Sequence, residues 1–234
     1  MTIAEQTAPA DGLKKTRNGV LLGLAAYLTW GSFPVFFNTL HGATPLEIVA
    51  HRIFWSSVFL VILVICGRQT GLLWQTVKNR NCLLTLCAST LLIAANWLTF
   101  LFAIQRGEVL QSSLGYFNTP LISVLLGFIF LKERLNRLQT VSVLFAFLGV
   151  MNLTFHHGAF PWMALVLAFS FGLYGLLRKL ARVEAMVGLT IETMLLAPLA
   201  LLYILLLHER QSGMFLAGSL RLDLLLPLSG VVTA

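Results

Sequence analysis

The stretch EIVAHRIFWSSVFLVILVIC, residues 47–66, decides the fold class because it joins ionisable groups to a long apolar run. Glu47, His51 and Arg52 lie at its head, and no polar side chain follows Ser57 before Cys66. A helix on the surface of a soluble protein carries polar residues along one face for its whole length. This stretch is instead typical of a helix that crosses a lipid bilayer.

Apolar residues dominate the chain and occur in long blocks. Hydrophobic residues make up 58% of the 234 positions and charged residues 11%, whereas soluble domains carry roughly 25% charged residues. Each complete block has about 20 residues, which suffices to cross a bilayer core of roughly 30 Å as a helix. The sequence therefore predicts an all-α polytopic membrane protein with seven complete transmembrane helices plus a partial eighth. In chain order these spans are Gly19–Leu40, Pro45–Cys66, Cys82–Ile104, Val109–Leu131, Leu138–Phe155, Phe160–Leu177, Met186–Leu207 and the partial Leu222–Ala234.

The formal net charge of +7 raises the question of a nucleic-acid partner, but the positions of the charges argue against one. If the N-terminus is cytoplasmic, only Arg106, Arg210 and Arg221 fall on the outer side. An excess of Lys and Arg in the inner loops is the positive-inside pattern of membrane proteins. The sequence therefore predicts a cytoplasmic N-terminus, a lipid bilayer as partner and no nucleic acid. The basic residues on the inner side are Lys14, Lys15, Arg17, Arg68, Lys78, Arg80, Lys132, Arg134, Arg137, Arg178, Lys179 and Arg182.

A weak internal repeat suggests how the spans are arranged. A shift of 141 residues carries the first span onto the sixth, the second onto the seventh, and His51 onto Glu192. A unit with an odd number of spans begins and ends on opposite sides of the membrane. Its second copy therefore has the opposite orientation, as in inverted-repeat transporters. We therefore expect a cytoplasmic tail (1–18), a first five-helix repeat (19–155) and an incomplete second repeat (160–234) of a ten-helix 5+5 fold. The short last span predicts a chain that is truncated or completed by a partner.

Several segments resemble one transporter family. LEIVAHRIFWS, ANWLTFLFAI, SSLGYFNTPLISVLLGFIFLKERL, AFSFGLYGLLRK and GLTIETMLLAPLALLY are similar to the RarD-like branch of the EamA, or drug/metabolite, transporter superfamily. The resemblance runs from about residue 19 to residue 234. It implies ten helices in two inverted halves around a central cavity. It also implies a permease or exporter of the bacterial inner membrane, with a link to chloramphenicol sensitivity.

The polar residues of the second span allow two interpretations. Glu47, His51 and Trp55 are spaced i, i+4 and i+8, so they form one stripe that would face an aqueous cavity, with Arg52 at its edge. His51 would then be a candidate group for carrying a coupled proton. In the alternative interpretation, Arg52 lies near the end of the span and reaches the interface with its long side chain.

Further candidates for a translocation site lie in four other spans. Glu192 is a carboxyl within the seventh span, where a charge is costly unless it is paired, protonated or hydrated. We expect Glu192 and His51 to be titrating or gating groups near opposite entrances, although a hydrogen-bonded structural carboxyl is the alternative for Glu192. The other candidates would contact the solute through aromatic or amide groups. For Asn96, the alternative is a hydrogen bond that joins two helices. They are Asn96, Trp97, Tyr116, Asn118 and Tyr174.

The sequence does not predict an enzyme, a cofactor or a metal site. His156 and His157 are adjacent, whereas helical metal ligands are spaced i, i+4, and no cysteine or acidic cluster completes a set. The leading hypothesis is a secondary transporter of a small organic solute. The alternative is a truncated, non-transporting membrane protein or a half that needs a partner. The sequence does not indicate the coupled ion or a homodimer.

Overall fold

The computed structural model describes residues 10–132, 134–157 and 161–234. Residues 1–9 of the predicted tail, Glu133, and Phe160 at the start of the predicted sixth span lie outside these ranges. The described residues form nine helices joined by short turns. They are α1 (Ala10–Asn38), α2 (Pro45–Cys66), α3 (Thr70–Lys78), α4 (Arg80–Gln105), α5 (Val109–Phe130), α6 (Arg137–His157), α7 (Trp162–Ala181), α8 (Ala185–Glu209) and α9 (Leu220–Thr233).

Each predicted span coincides with one of these helices, so the all-helical membrane fold is confirmed. Six helices are long and apolar enough to cross a bilayer: α1, α2, α4, α5, α7 and α8. In α6 the apolar stretch is the shorter Arg137–Gly149, and α9 has 14 residues. The described residues therefore contain six helices whose length and composition suit a membrane span.

Local signals in the sequence explain where α2 and α4 begin. Thr44 has an extended backbone and its side chain accepts a hydrogen bond from the Glu47 amide, while Pro45 occupies the first turn of α2. Asn79 caps α4 in the same way by accepting from the amide of Cys82. Both residues satisfy backbone donors that a helix start leaves unpaired. Pro45 is tolerated because its missing N–H falls among those donors.

The chain divides into two compact units, of which the first ends at Thr39. Its described part is essentially α1, where the Thr29 hydroxyl donates to the carbonyl of Ala25 and the Tyr27 and Trp30 rings meet edge to face. The second unit begins at Leu40 and contains α2 to α9. The candidate site residues all lie in this second unit.

Within the second unit, α2 and α8 pack against each other in opposite directions. Near the start of α2, Glu47 contacts Met214, which follows α8. Just beyond the other end of α2, the Gln69 side chain donates to the carboxylate of Glu184 at 3.0 Å, immediately before α8. The direction of α8 relative to α2 is therefore fixed by contacts at both ends.

Small residues bring α5 and α7 close together. A Cβ on Gly115 would lie 2.7 Å from the Leu167 Cβ and 3.0 Å from the carbonyl oxygen of Ala164. A Cβ on Gly172 would likewise lie 2.7 Å from the side chain of Ile122. Interfaces between membrane helices rely on such small residues because lipid supplies no hydrophobic driving force between helices. This close packing places Tyr116 beside α7.

Helix α3 is an element that the hydropathy pattern does not predict, because it lies in the connection Gly67–Asn81 and is too short to span a bilayer. Leu73 and Val77 of α3 pack against a buried apolar cluster formed by Leu86, Val187 and Ile191. This cluster joins α4 and α8 near the end of the bundle where both helices begin. The connection is therefore an ordered part of the core.

Candidate functional site

The carboxylate of Glu192 on α8 is a buried polar group that contacts three side chains from two other helices. Its Oε1 accepts a hydrogen bond from the Ser89 hydroxyl at 2.6 Å, and its Oε2 accepts one from the Tyr174 hydroxyl at 3.1 Å. Arg178 Nε lies 3.9 Å from Oε1. Glu192 is 1% exposed, so these side chains replace water around it. We call Ser89, Tyr174, Arg178 and Glu192 the Glu192 cluster.

Arg178 reaches this cluster because α8 has a glycine where the guanidinium lies. A Cβ on Gly188 would overlap the guanidinium of Arg178. Arg178 Nη2 also donates to the carbonyls of Glu184 and Ala185, at 3.4 and 3.2 Å, in the turn between α7 and α8. Gly188 and Glu192 are one helical turn apart and therefore share a face of α8. The guanidinium of Arg178 packs against this face.

An aromatic column leads away from the Glu192 cluster toward the opposite ends of α4 and α7. The ring of Tyr174 lies 5.9 Å from that of Phe171, which meets the ring of Tyr116 edge to face at 5.8 Å. The Tyr116 ring also meets Phe100 edge to face at 5.7 Å. We use the name aromatic column for Phe100, Tyr116, Phe171 and Tyr174. It connects α4, α5 and α7, and Tyr116 at its centre is 37% exposed.

At the far end of the column, Asn96 ties three helices together. Its Oδ1 accepts a hydrogen bond from the Tyr116 hydroxyl at 3.1 Å. Its Nδ2 donates to the Leu167 carbonyl and to the Ser170 hydroxyl, both at 3.0 Å. Asn96 is fully buried, and both the oxygen and the nitrogen of its side-chain amide are hydrogen-bonded. It acts as a link between α4, α5 and α7, as the helix–helix interpretation expected.

The guanidinium of Arg52 lies over the ring of Trp97, the residue next to Asn96. The distance between Arg52 Cζ and the centroid of the ring is 4.2 Å. Arg52 is 6% exposed, so this cation lies inside the protein. A desolvated cation over an indole face is stabilised by about 2 kcal/mol. The contact argues against the alternative in which Arg52 extends to the interface.

Glu47 and His51 form a second buried site at the start of α2. Glu47 Oε1 accepts hydrogen bonds from the backbone amides of Met214 and Phe215, at 2.6 and 3.3 Å. The imidazole of His51 packs against the Phe215 ring with centroids 4.6 Å apart. Both residues line a cavity of about 150 Å³ together with His208 and Phe215. We call Glu47, His51, Met214 and Phe215 the Glu47 cluster.

Asn118 and Trp55 complete the predicted set. Asn118 is buried on α5, three residues after Gly115, and therefore on the side of α5 that faces α7. Its Oδ1 accepts no hydrogen bond from the residues that the structure describes. Trp55 Nε1 is likewise buried without an acceptor in the described part of the chain.

The structure thus joins most of the predicted residues into two clusters and one connecting column. Tyr174 and Glu192 share the first cluster, Glu47 and His51 the second, and Trp97 holds Arg52 between them. A larger cavity of about 510 Å³ lies elsewhere, between the ends of α5 and α6, and none of the predicted residues lines it. The described residues contain no group of three His, Cys, Asp or Glu side chains that would hold a metal ion.

Three residues of the site were missed by reasoning from the sequence. Arg178 was counted as a basic loop residue, and Ser89 attracts no attention because serine is common in membrane helices. Gly188 carried a usable signal, since it precedes Glu192 by four residues in GLTIET. A glycine one turn from a buried acid leaves room for a large partner side chain.

The chain is similar to a family of known transporters. The model of the EamA-like transporter family matches residues 17–155. The chain is 42% identical over 224 residues to the uncharacterized transporter YojE of Bacillus subtilis, covering 94% of the chain and 74% of that protein. It is 41% identical over 220 residues to protein RarD of Escherichia coli, with the same two coverages.

A further relative is named chloramphenicol-sensitive protein RarD in Pseudomonas aeruginosa. It is 35% identical over 226 residues, covering 92% of the chain and 73% of that protein. No solved structure matches the chain. The family model and YojE carry the name of transporters, and the apolar helices fit a multi-pass bacterial membrane protein. The chain therefore belongs to the EamA-like transporter family, among its RarD-like members.

Proposed function

We propose that this chain is a secondary transporter of the bacterial inner membrane that moves small organic metabolites or drugs. Its N-terminus would be cytoplasmic, as the distribution of basic residues favours. Its seven complete spans and partial eighth would belong to a ten-helix fold of two inverted five-helix repeats. The function rests on the residues buried between α2, α4, α5, α7 and α8.

One observation carries this proposal: polar and aromatic groups follow one another through an otherwise apolar bundle. Arg52 lies over Trp97, and the adjacent Asn96 accepts a hydrogen bond from Tyr116. The aromatic column then leads from Tyr116 to Tyr174, which donates to Glu192. Ionisable residues inside membrane spans are costly, and they mark the pathways of substrates and ions. A protein that needed only to be anchored in lipid would gain nothing from this arrangement.

Two contacts support the inverted repeat. The shift that places His51 on Glu192 also places Ser89 on Gly230. Ser89 of α4 contacts α8 at Glu192, and the Gly230 carbonyl of α9 accepts a hydrogen bond from the Ser56 hydroxyl of α2 at 2.7 Å. Ser56 lies just over one turn after His51. The contact between α4 and α8 thus has a counterpart between α9 and α2, with Gly230 at the shifted position of Ser89 and Ser56 five residues beyond the shifted position of Glu192.

The two clusters suggest how access alternates between the two sides. The Glu47 and Glu192 clusters lie near opposite ends of α2 and α8, and both carboxylates are 1% exposed. We propose that each cluster closes one entrance and that transport opens them in turn. The aromatic column and Asn118 would contact the solute between the two closures. His51 or Glu192 would carry a proton if the transport is proton-coupled.

The aromatic column favours an organic solute over an inorganic ion. Tyr and Phe faces contribute apolar contact area, while the hydroxyl of Tyr116 and the amide of Asn118 supply hydrogen bonds. One relative is named for chloramphenicol sensitivity, and we propose an uncharged aromatic or amide-containing solute of that kind for this chain.

Counterflow in proteoliposomes tests the function. Vesicles preloaded with an unlabelled solute are diluted into the labelled solute, and transient accumulation of label is measured for chloramphenicol and for a panel of small metabolites. We expect accumulation well above that of protein-free vesicles for at least one aromatic solute. The absence of accumulation for every solute, from protein that is inserted and folded, would favour the non-transporting alternative.

A matched pair of variants connects flux to the site. Tyr174→Phe removes the hydroxyl that donates to Glu192, whereas Tyr203→Phe makes the same change on α8 outside the cluster. We expect the first variant to lower the counterflow rate and the second to leave it unchanged. Equal rates in both variants would remove the Glu192 cluster from the transport pathway.

A further inference from the structure

Helix α3 has a second face that the packing of the bundle does not use. Leu73 and Val77 face the buried apolar cluster, and Thr76 is also buried. On the outer side, Trp74 is 60% exposed and Leu72 is 41% exposed. A large aromatic side chain is therefore exposed on the side of α3 that faces away from the bundle.

The chain fixes the depth of α3 relative to the bilayer. Only three residues separate its first residue, Thr70, from the end of α2 at Cys66, and only Asn79 separates its last residue, Lys78, from the start of α4. Both neighbouring helices are long and apolar enough to cross the membrane. Such short connections hold α3 at the boundary between hydrocarbon and water. Tryptophan is enriched at this depth because its ring is amphipathic.

The charged side chains of α3 and its flanking residues are all basic, and the nearby carboxylate of Glu184 accepts a hydrogen bond from Gln69 at the start of the helix. Arg68, Lys78 and Arg80 are exposed, and the segment 67–81 contains no acidic residue. The ammonium of Lys78 lies over the Trp74 ring, 5.3 Å from its centroid, so the cation and the indole share one side of the helix. A basic, aromatic surface at this depth is complementary to negatively charged headgroups.

We propose that α3 is an interfacial helix that binds anionic phospholipid through Trp74 and Lys78, with Arg68 and Arg80 at its two ends. The Trp74 ring inserts at the level of the headgroups, and Lys78 pairs with a lipid phosphate. The opposite face of the helix remains packed on α4 and α8. The lipid therefore contacts an element that closes one end of the bundle.

Fluorescence quenching in vesicles tests this proposal. The contribution of Trp74 is obtained as the difference between the protein and Trp74→Phe, with Trp74→Tyr as a second reference should the first variant fold poorly. The vesicles contain phosphatidylcholine and phosphatidylglycerol in a fixed ratio, and bromine is placed on the acyl chains of one lipid or the other. We expect brominated phosphatidylglycerol to quench Trp74 more strongly than brominated phosphatidylcholine does.

One further variant and one control residue make the test specific. A basic residue near the membrane surface contributes about fivefold to the affinity for anionic lipid, so Lys78→Gln should weaken the preference by about that factor. Trp162, which is 44% exposed at the start of α7, serves as the control and should be quenched by both lipids alike. Equal quenching of Trp74 by the two lipids would overturn the proposal, as would quenching by aqueous iodide in place of brominated lipid.

Discussion

Two carboxylates are buried in this bundle to the same extent, but they are stabilised in different ways. Glu47 accepts hydrogen bonds from backbone amides of one short loop, at Met214 and Phe215. Glu192 is surrounded by side chains from α4 and α7, namely Ser89, Tyr174 and Arg178. Backbone donors are part of the fold, whereas side chains can rotate away. We therefore propose that Glu47 holds the loop of one entrance together as that entrance opens and closes, and that the side chains around Glu192 rearrange when the other entrance opens.

The largest effect on stability is expected when Glu192 loses its cation. Arg178→Gln leaves a carboxylate that is 1% exposed without a positive charge nearby, and breaking a buried pair from one side costs about 3 kcal/mol or more. Unfolding of the purified protein in mixed micelles, titrated with denaturing detergent, measures the loss.

The matched double variant identifies the cause of this loss. Arg178→Gln combined with Glu192→Gln removes both charges and should recover most of the stability. If the double variant is as unstable as Arg178→Gln alone, the contacts of Arg178 with the turn carbonyls, and not the ion pair, determine its effect.

A somewhat smaller loss is expected at the other carboxylate. Glu47→Ala leaves the amides of Met214 and Phe215 without their acceptor, and hydrogen bonds to a charged group contribute about 1.5–3 kcal/mol. The same unfolding titration measures it, and proteolysis of the loop 210–219 should become faster. Glu47→Gln keeps an acceptor oxygen and should retain most of the stability. Unchanged stability in Glu47→Ala would contradict the role of Glu47 in holding the loop.

Gly188→Ala tests whether the guanidinium of Arg178 needs the space on α8. The new methyl group overlaps the guanidinium, and adding a methyl group to a packed site costs about 1–3 kcal/mol. We expect about 1–2 kcal/mol, because the end of a flexible side chain can move, together with a reduced rate of counterflow. Gly175→Ala is the matched control on α7, since no atom lies near its new Cβ. Equal stability and equal counterflow rates in the two variants would show that the position of the Arg178 guanidinium does not depend on Gly188.

The smallest effect is expected from Tyr174→Phe. It removes one of the two hydrogen bonds to Glu192 and should lower the free energy of unfolding by about 1 kcal/mol. Unfolding titration of this variant beside Tyr203→Phe measures the difference. A loss as large as that of Arg178→Gln would mean that the hydroxyl, and not the cation, dominates the environment of Glu192.

The positions of the helices could be predicted from the sequence because the bilayer imposes a length on every apolar run. The prediction for α2, Pro45–Cys66, agrees with the structure at both ends, where Thr44 and Pro45 supply a start signal. Helix α3 could not be predicted in this way. Its nine residues are too few to span a membrane, and its order comes from Leu73 and Val77 packing on distant residues.

The site could be predicted in part, since an acid within an apolar span is costly and therefore conspicuous. Glu47 and Glu192 were both identified on that basis, but their partners were not. Backbone amides such as that of Met214 have no sequence signature, and Ser89 is an ordinary residue for a membrane helix. Arg178 was assigned to the loops because an arginine at the end of a span usually marks topology. Its folding back onto α8 depends on tertiary packing.

The most direct test of the account compares Glu192→Gln with Glu47→Gln in a single experiment. Both variants exchange a buried carboxylate for an amide of the same shape, and both are assayed for counterflow after insertion into vesicles is verified. We expect folded and inserted Glu192→Gln to reduce the counterflow rate at least tenfold, and Glu47→Gln to transport at nearly the normal rate. Normal transport by Glu192→Gln would contradict the central claim that this carboxylate belongs to the moving part of the transporter.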